Sequence, residues 1–153
     1  MKRILIVEDD ENKCSQILLF LRDAFPLFET SVAHSLRSGL MLIKGEVFNL
    51  VILDMTLPNF DQGIDEDGGI IHPLGGQEFL RKMKRGNLQI PVVVLTQFES
   101  FGTGEDRLDL DTLRSSLKEK YRDVCIETIY YNSAVDAWKR QLQSAISRSI
   151  GVS

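Results

Sequence analysis

The chain has 153 residues, 43% of them apolar, and a formal net charge of -4. That size and content predict one globular domain over residues 1–153 with a sizeable core, and the net negative charge argues against general binding to a nucleic-acid backbone. The N-terminal apolar run is only four residues long before acids begin, which excludes a signal peptide or a membrane span there and leads to the expectation of a cytoplasmic protein.

Ile4-Leu5-Ile6-Val7 predicts a short buried strand that finishes in Glu8-Asp9-Asp10. Cys14, Ile17, Leu18, Leu21 and Phe25 then recur at three- and four-residue steps, which predicts an amphipathic helix with Asp10 as its N-cap and a stop near Pro26. Phe28 to Ala33 reads as a second strand. Ser35 is the N-cap of a second helix, whose inner face is Leu36, Leu40 and Ile43 and which ends at Lys44-Gly45. The third strand, Leu50 to Asp54, is apolar throughout except for the carboxylate at its last position.

Gly76 to Arg85 predicts a third helix with Phe79, Leu80 and Met83 inward, and Pro91 to Thr96 a fourth strand with proline at its first position. A helix from about Glu105 to Lys120 follows through Leu110, Leu113 and Leu117, then a strand from Val124 to Tyr131. The last helix carries Val135, Trp138, Leu142 and Ile146 inward. Five alternations of strand and helix predict an α/β fold: a doubly wound, five-stranded parallel sheet of flavodoxin-like order, with helices on both faces and right-handed crossovers. Two connections are longer than such a fold needs, at about 59–75 and about 97–123.

Two apolar strands that finish in acid place Glu8, Asp9 and Asp54 at one carboxyl edge, where open α/β sheets bind ligands. Like charges about 4 Å apart repel by roughly 4 kcal/mol at an effective dielectric of 20, so these carboxylates call for a cation. Thr96 closes the fourth strand at the same edge. Cys14 and Cys125 suit buried thiols better than a disulfide or metal site, and His34 and His72 are isolated. The run Arg81, Lys82, Lys84, Arg85 at a helix end reads as a solvated face.

An acidic pair after the first strand, an aspartate four residues before Pro58 and a threonine closing the fourth strand together resemble the receiver domain of two-component response regulators, the CheY-like superfamily. The resemblance spans nearly the whole chain. It implies that Asp54 is a phosphoacceptor, taking a phosphoryl group from a sensor histidine kinase or a phosphotransfer protein. It further implies Mg²⁺ bound directly by Asp9 and Asp54, through water by Glu8, and by the backbone carbonyl of Thr56, with the Thr96 hydroxyl bonding a phosphoryl oxygen. It implies a signalling module and not an enzyme. With no output domain expected after the last helix, the resemblance implies that the signal leaves through contact with a downstream protein at the face of the fourth helix, fifth strand and fifth helix. Pairing of two copies through that face belongs to the same implication, and direct contact with nucleic acid or membrane does not.

The chain departs from the family in four places. Where receiver domains close the fifth strand with lysine, this chain has Tyr130-Tyr131-Asn132-Ser133, and no lysine occurs between Lys120 and Lys139. Gln97 stands where a small residue is usual. The 59–75 loop carries Asp61, Asp65, Glu66 and Asp67 among glycines, which reads as a lid or a partner-binding loop and equally as a solvated flexible insertion. The 97–123 connection brings Phe98 and Phe101, either for docking or to cover the core, and neither Tyr130 nor Tyr131 is in clear register for the family's aromatic switch. These departures keep open a phosphorylation-independent pseudo-receiver that acts only as an interaction module. A Mg²⁺-dependent phosphohydrolase with Asp54 as nucleophile is a weaker rival, since Thr56 stands where haloacid dehalogenase-like phosphatases place a second aspartate.

Overall fold

The computed structural model describes residues 1–59, 71–72, 75–101 and 108–150, with the side chains of 71–72 and 100–101 left undescribed. In chain order the elements are β1 (Arg3–Val7), α1 (Glu11–Ala24), β2 (Glu29–Ala33), α2 (Leu36–Gly45), β3 (Leu50–Leu53), β4 (Leu57–Pro58), β5 (Ile71–His72), α3 (Gly75–Arg85), β6 (Val92–Thr96), β7 (Ser100–Phe101), β8 (Leu108–Asp109), α4 (Leu110–Lys120), β9 (Cys125–Tyr130) and α5 (Ala137–Ile150).

Five of the strands form one parallel sheet in the order β2-β1-β3-β6-β9, the flavodoxin-like arrangement. The central strands are apolar at nearly every position because helices cover both sheet faces. Leu5, Val7, Val51, Leu53, Val92 and Val94 face α2, α3 and α4 through Leu40, Ile43, Phe79, Leu80, Leu113 and Leu117. The alternate residues Ile4, Ile6, Leu50, Ile52, Val93 and Leu95 pack with Ile17 and Leu21 of α1 and Trp138, Leu142 and Ile146 of α5. The period-two pleat thus sends one set of side chains to each core.

Local signals fix the helix starts. Asp10 accepts the Lys13 backbone N–H at 3.0 Å, and Ser35 and Ser38 close a reciprocal capping box at the start of α2. Three expectations need correction. The helix expected from about Glu105 begins at Leu110, because Leu108–Asp109 pairs antiparallel with Ser100–Phe101 and the Asp109 carboxylate caps the helix by accepting the Thr112 N–H at 2.8 Å. Leu110 is only partly buried. Val135 is about half exposed and precedes α5, so it is not part of that helix's inner face.

Within the long connection at 59–75, Ile71–His72 pairs antiparallel with Leu57–Pro58. Asp61, Asp65, Glu66 and Asp67 lie outside the described residues, as do the side chains of His72 and Phe101. Cys14 and Cys125 are both buried free thiols, as expected. Arg81, Lys84 and Arg85 are exposed and Lys82 is half-buried, which fits a solvated face. Among the described residues no helix is long and apolar enough to cross a membrane.

Candidate functional site

The parallel register brings the ends of β1, β3 and β6 to one edge, and backbone hydrogen bonds fix the residues just past them. The Glu8 N–H donates to the Ala33 carbonyl at 2.9 Å and the Asp54 N–H to the Val7 carbonyl at 3.0 Å, so each acid is held at the point where its strand stops. One carboxylate oxygen from each of Glu8, Asp9 and Asp54 lies within 4.8 Å of the other two. Glu8 and Asp54 are buried and Asp9 is half-buried. Three hard oxygen donors this close match what Mg²⁺ takes from a protein, and the half-exposed Asp9 leaves an open side for the waters that ion retains.

Asp54 is held firmly. Its Oδ1 accepts the Met55 backbone N–H at 2.8 Å and its Oδ2 accepts the Thr56 hydroxyl at 3.2 Å. α3 presses on the same turn: the Gly76 N–H donates to the Met55 carbonyl at 2.8 Å, and a Cβ on Gly76 would stand 2.5 Å from the Asp54 carbonyl oxygen. Only glycine fits there.

The sequence reading missed Lys13. Its ammonium, 1% exposed, lies 2.6 Å from Glu8 Oε1 and donates to Asp54 Oδ1 at 3.2 Å and to the Leu95 carbonyl at 2.5 Å. Three donors meet three acceptors, which is the condition for holding a lysine away from water. The signal was present in the spacing: Lys13, Ile17 and Leu21 recur at four-residue steps, so the lysine belongs to the stripe of α1 that faces the sheet.

The charges perturb one another. Burial lifts the Glu8 carboxyl above the usual carboxylate range, Asp54 adds to the rise, and Lys13 opposes it without cancelling it. Three carboxylates share one ammonium, so retention of a proton by the most enclosed of the three follows from the charge balance. Asp9 is raised for the same leading reason, burial, with Asp54 contributing. Burial works against the Lys13 ammonium, yet Asp54 and Glu8 together hold it above its ordinary value.

Thr96 is fully buried at the end of β6, where its hydroxyl accepts the Phe98 N–H at 3.3 Å. Gln97 and Phe98 are exposed. His34 is exposed, with Nδ1 3.0 Å from the Glu8 carbonyl oxygen. Tyr131, just past β9, is buried with its N–H on the Thr96 carbonyl, and its hydroxyl has no hydrogen-bond partner among the described residues. Its ring centroid lies 5.6 Å from the Lys13 ammonium and 5.0 Å from the Trp138 ring. An aromatic ring therefore stands just past the strand end, and an ammonium reaches the acids from α1.

No family model matches the chain. The protein y4jR of Sinorhizobium fredii is 30% identical over 144 residues, covering 94% of this chain and 95% of that one. The Detocs response regulatory protein DtcB of Enterobacter cloacae is 24% identical over 148 residues, covering 95% of this chain and 98% of its own. Among solved structures, the response regulator TrrA of Thermotoga maritima in complex with Mg²⁺ and beryllofluoride superposes with a TM-score of 0.63 at 21% identity, over 95% of this chain and 99% of that one.

Proposed function

Because this chain belongs to the response regulator receiver family of two-component signalling, we propose that Asp54 accepts a phosphoryl group from a histidine kinase or phosphotransfer protein and that the modified domain signals by contact with another protein. The observation that carries this reading is the triad Glu8, Asp9 and Asp54, with oxygens within 4.8 Å at the carboxyl edge of the sheet. Asp9 and Asp54 would hold Mg²⁺ directly, with Glu8 acting through water and the Thr56 carbonyl as a further oxygen donor. The ion, when bound, neutralises charge on the phosphoryl oxygens.

An Asp54 carboxylate oxygen forms a bond to phosphorus as the nitrogen–phosphorus bond of a phosphohistidine breaks. The departing ring nitrogen keeps the electron pair and takes a proton from solvent. The hydrogen bonds from Met55 and Thr56 to Asp54 orient the nucleophile, and Thr96 supplies a hydroxyl to the transferred group. A cytoplasmic location and an output face built from α4, β9 and α5 complete the proposal. That face rests on analogy with the family.

Intact-mass analysis after incubation with a phosphorylated histidine protein or a small phosphoramidate, with Mg²⁺ present, tests the reading. One phosphoryl group per chain is expected, lost in Asp54→Asn and on chelation of the metal. An unmodified wild type, or an Asp54→Asn protein modified to the same extent, refutes it. The pseudo-receiver alternative rests on the absence of lysine from residues 121–138. An Asp54→Asn protein with undiminished partner affinity would favour it.

A further inference from the structure

We propose that Lys13, delivered from the first turn of α1, is the cation this site presents to a phosphoryl group on Asp54, and that it competes with the divalent ion for Glu8 and Asp54. The inference rests on Asp54 being the phosphoacceptor. The family places its lysine at the end of the fifth strand, and here Tyr130-Tyr131-Asn132-Ser133 stands there, with Tyr131 just past β9 and its buried ring facing the Lys13 ammonium. Neither lysine nor arginine occurs from Asp123 to Trp138, so the strand end has no cation of its own to offer.

The ammonium of Lys13 already touches the oxygen Oδ1 of Asp54 and reaches the carbonyl of Leu95, one residue before Thr96. It therefore joins the end of β3, which carries the nucleophile, to the end of β6, which carries the hydroxyl. A phosphoryl group added to Asp54 brings about two negative charges and three acceptor oxygens next to this donor. Lys13 can exchange its contact with the Leu95 carbonyl or with Glu8 for a phosphoryl oxygen without leaving the site. A lysine serving only to neutralise Glu8 would not need to touch Asp54 and the end of β6 as well.

The same contacts set Lys13 against a metal ion. Glu8 Oε1 and Asp54 Oδ1 are both engaged by the ammonium, and a divalent ion drawing on these carboxylates meets a like charge a few ångströms away. Removing Lys13 must then act in opposite directions on two ligands: metal binding tightens, and phosphoryl binding weakens. A purely structural role would move both the same way.

The experiment is a calorimetric Mg²⁺ titration followed by an amide-resolved NMR titration with beryllofluoride, on wild type, Lys13→Met and Lys13→Gln. Lys13→Gln keeps a donor without the charge and serves if Lys13→Met does not fold. Expected results are Mg²⁺ affinity raised about tenfold and beryllofluoride affinity lowered by about tenfold or more in the charge-free variants. Adding Tyr131→Lys to either variant should restore the beryllofluoride response. Beryllofluoride affinity equal to wild type, or Mg²⁺ affinity lowered together with it, overturns the assignment while leaving Asp54 as phosphoacceptor intact. A wild type that binds Mg²⁺ but neither binds beryllofluoride nor becomes phosphorylated overturns both.

Discussion

Glu8 is the acid of this site whose carboxyl burial shifts into the neutral range. Burial and Asp54 raise its carboxyl from about 4.5 to about 8 against the pull of Lys13. A carboxyl raised on folding stabilises the fold fully below its unfolded value, and that contribution is lost as pH rises through the folded value. Glu8 therefore helps the metal-free fold most below about pH 4.5 and ceases to help above about pH 8. The same deprotonation supplies a charged ligand, so Mg²⁺ binding should tighten as pH rises through the neutral range to about 8 and then level off. Calorimetric titrations at a series of pH values check this, with Glu8→Gln as control. Removal of the titrating group should flatten the profile, and an equally steep profile in Glu8→Gln would assign the proton to another group.

At the scale of elements, the site depends on how closely α3 approaches the turn after β3. Gly76 lets the helix backbone lie against Asp54 and Met55, where an added Cβ would stand 2.5 Å from a carbonyl oxygen and 2.9 Å from the Met55 Cα. Both neighbours are backbone atoms, so the clash cannot be relieved by turning a side chain. Gly76→Ala should destabilise the protein by about 1–3 kcal/mol and displace the turn that aims Asp54. A urea unfolding series gives the first value, and a change of less than about 0.5 kcal/mol would show that α3 yields more easily than its packing indicates. This contact was not legible in the sequence, since a glycine at the start of a helix gives no sign of which backbone the helix will meet. The elements themselves were legible, because continuous apolar runs in β1, β3 and β6 have few other uses than a doubly covered sheet. Two errors came from local competition: Asp109 begins α4 later than apolar spacing suggested, and Val135 stands in the turn before α5. Lys13 was overlooked for a different reason. Apolar periodicity does not register a lysine, although the spacing of Lys13 from Ile17 places it on the buried stripe of α1.

The whole molecule carries a consequence of that lysine. Three acids at one sheet edge would strain the fold if no cation were there, yet α1 brings an ammonium into contact with two of them, an internal counter-ion that should let the chain fold without a metal. Even with Glu8 holding its proton, Asp9 and Asp54 against one ammonium leave a negative surplus, which a divalent ion can relieve. Mg²⁺ should therefore be a stabilising ligand and not a structural requirement. Mass action at about a hundred times the dissociation constant contributes about 2.7 kcal/mol. For a chain of this length that corresponds to a rise of roughly 5–10 °C in melting temperature. Thermal unfolding followed by circular dichroism in chelator and in saturating Mg²⁺ should show a cooperative transition in both, with the rise in the second abolished or much reduced in Asp9→Asn. Loss of the folded signal in chelator would mean that Lys13 does not suffice as counter-ion. An undiminished rise in Asp9→Asn would place the ion away from the half-exposed side of the acidic triad.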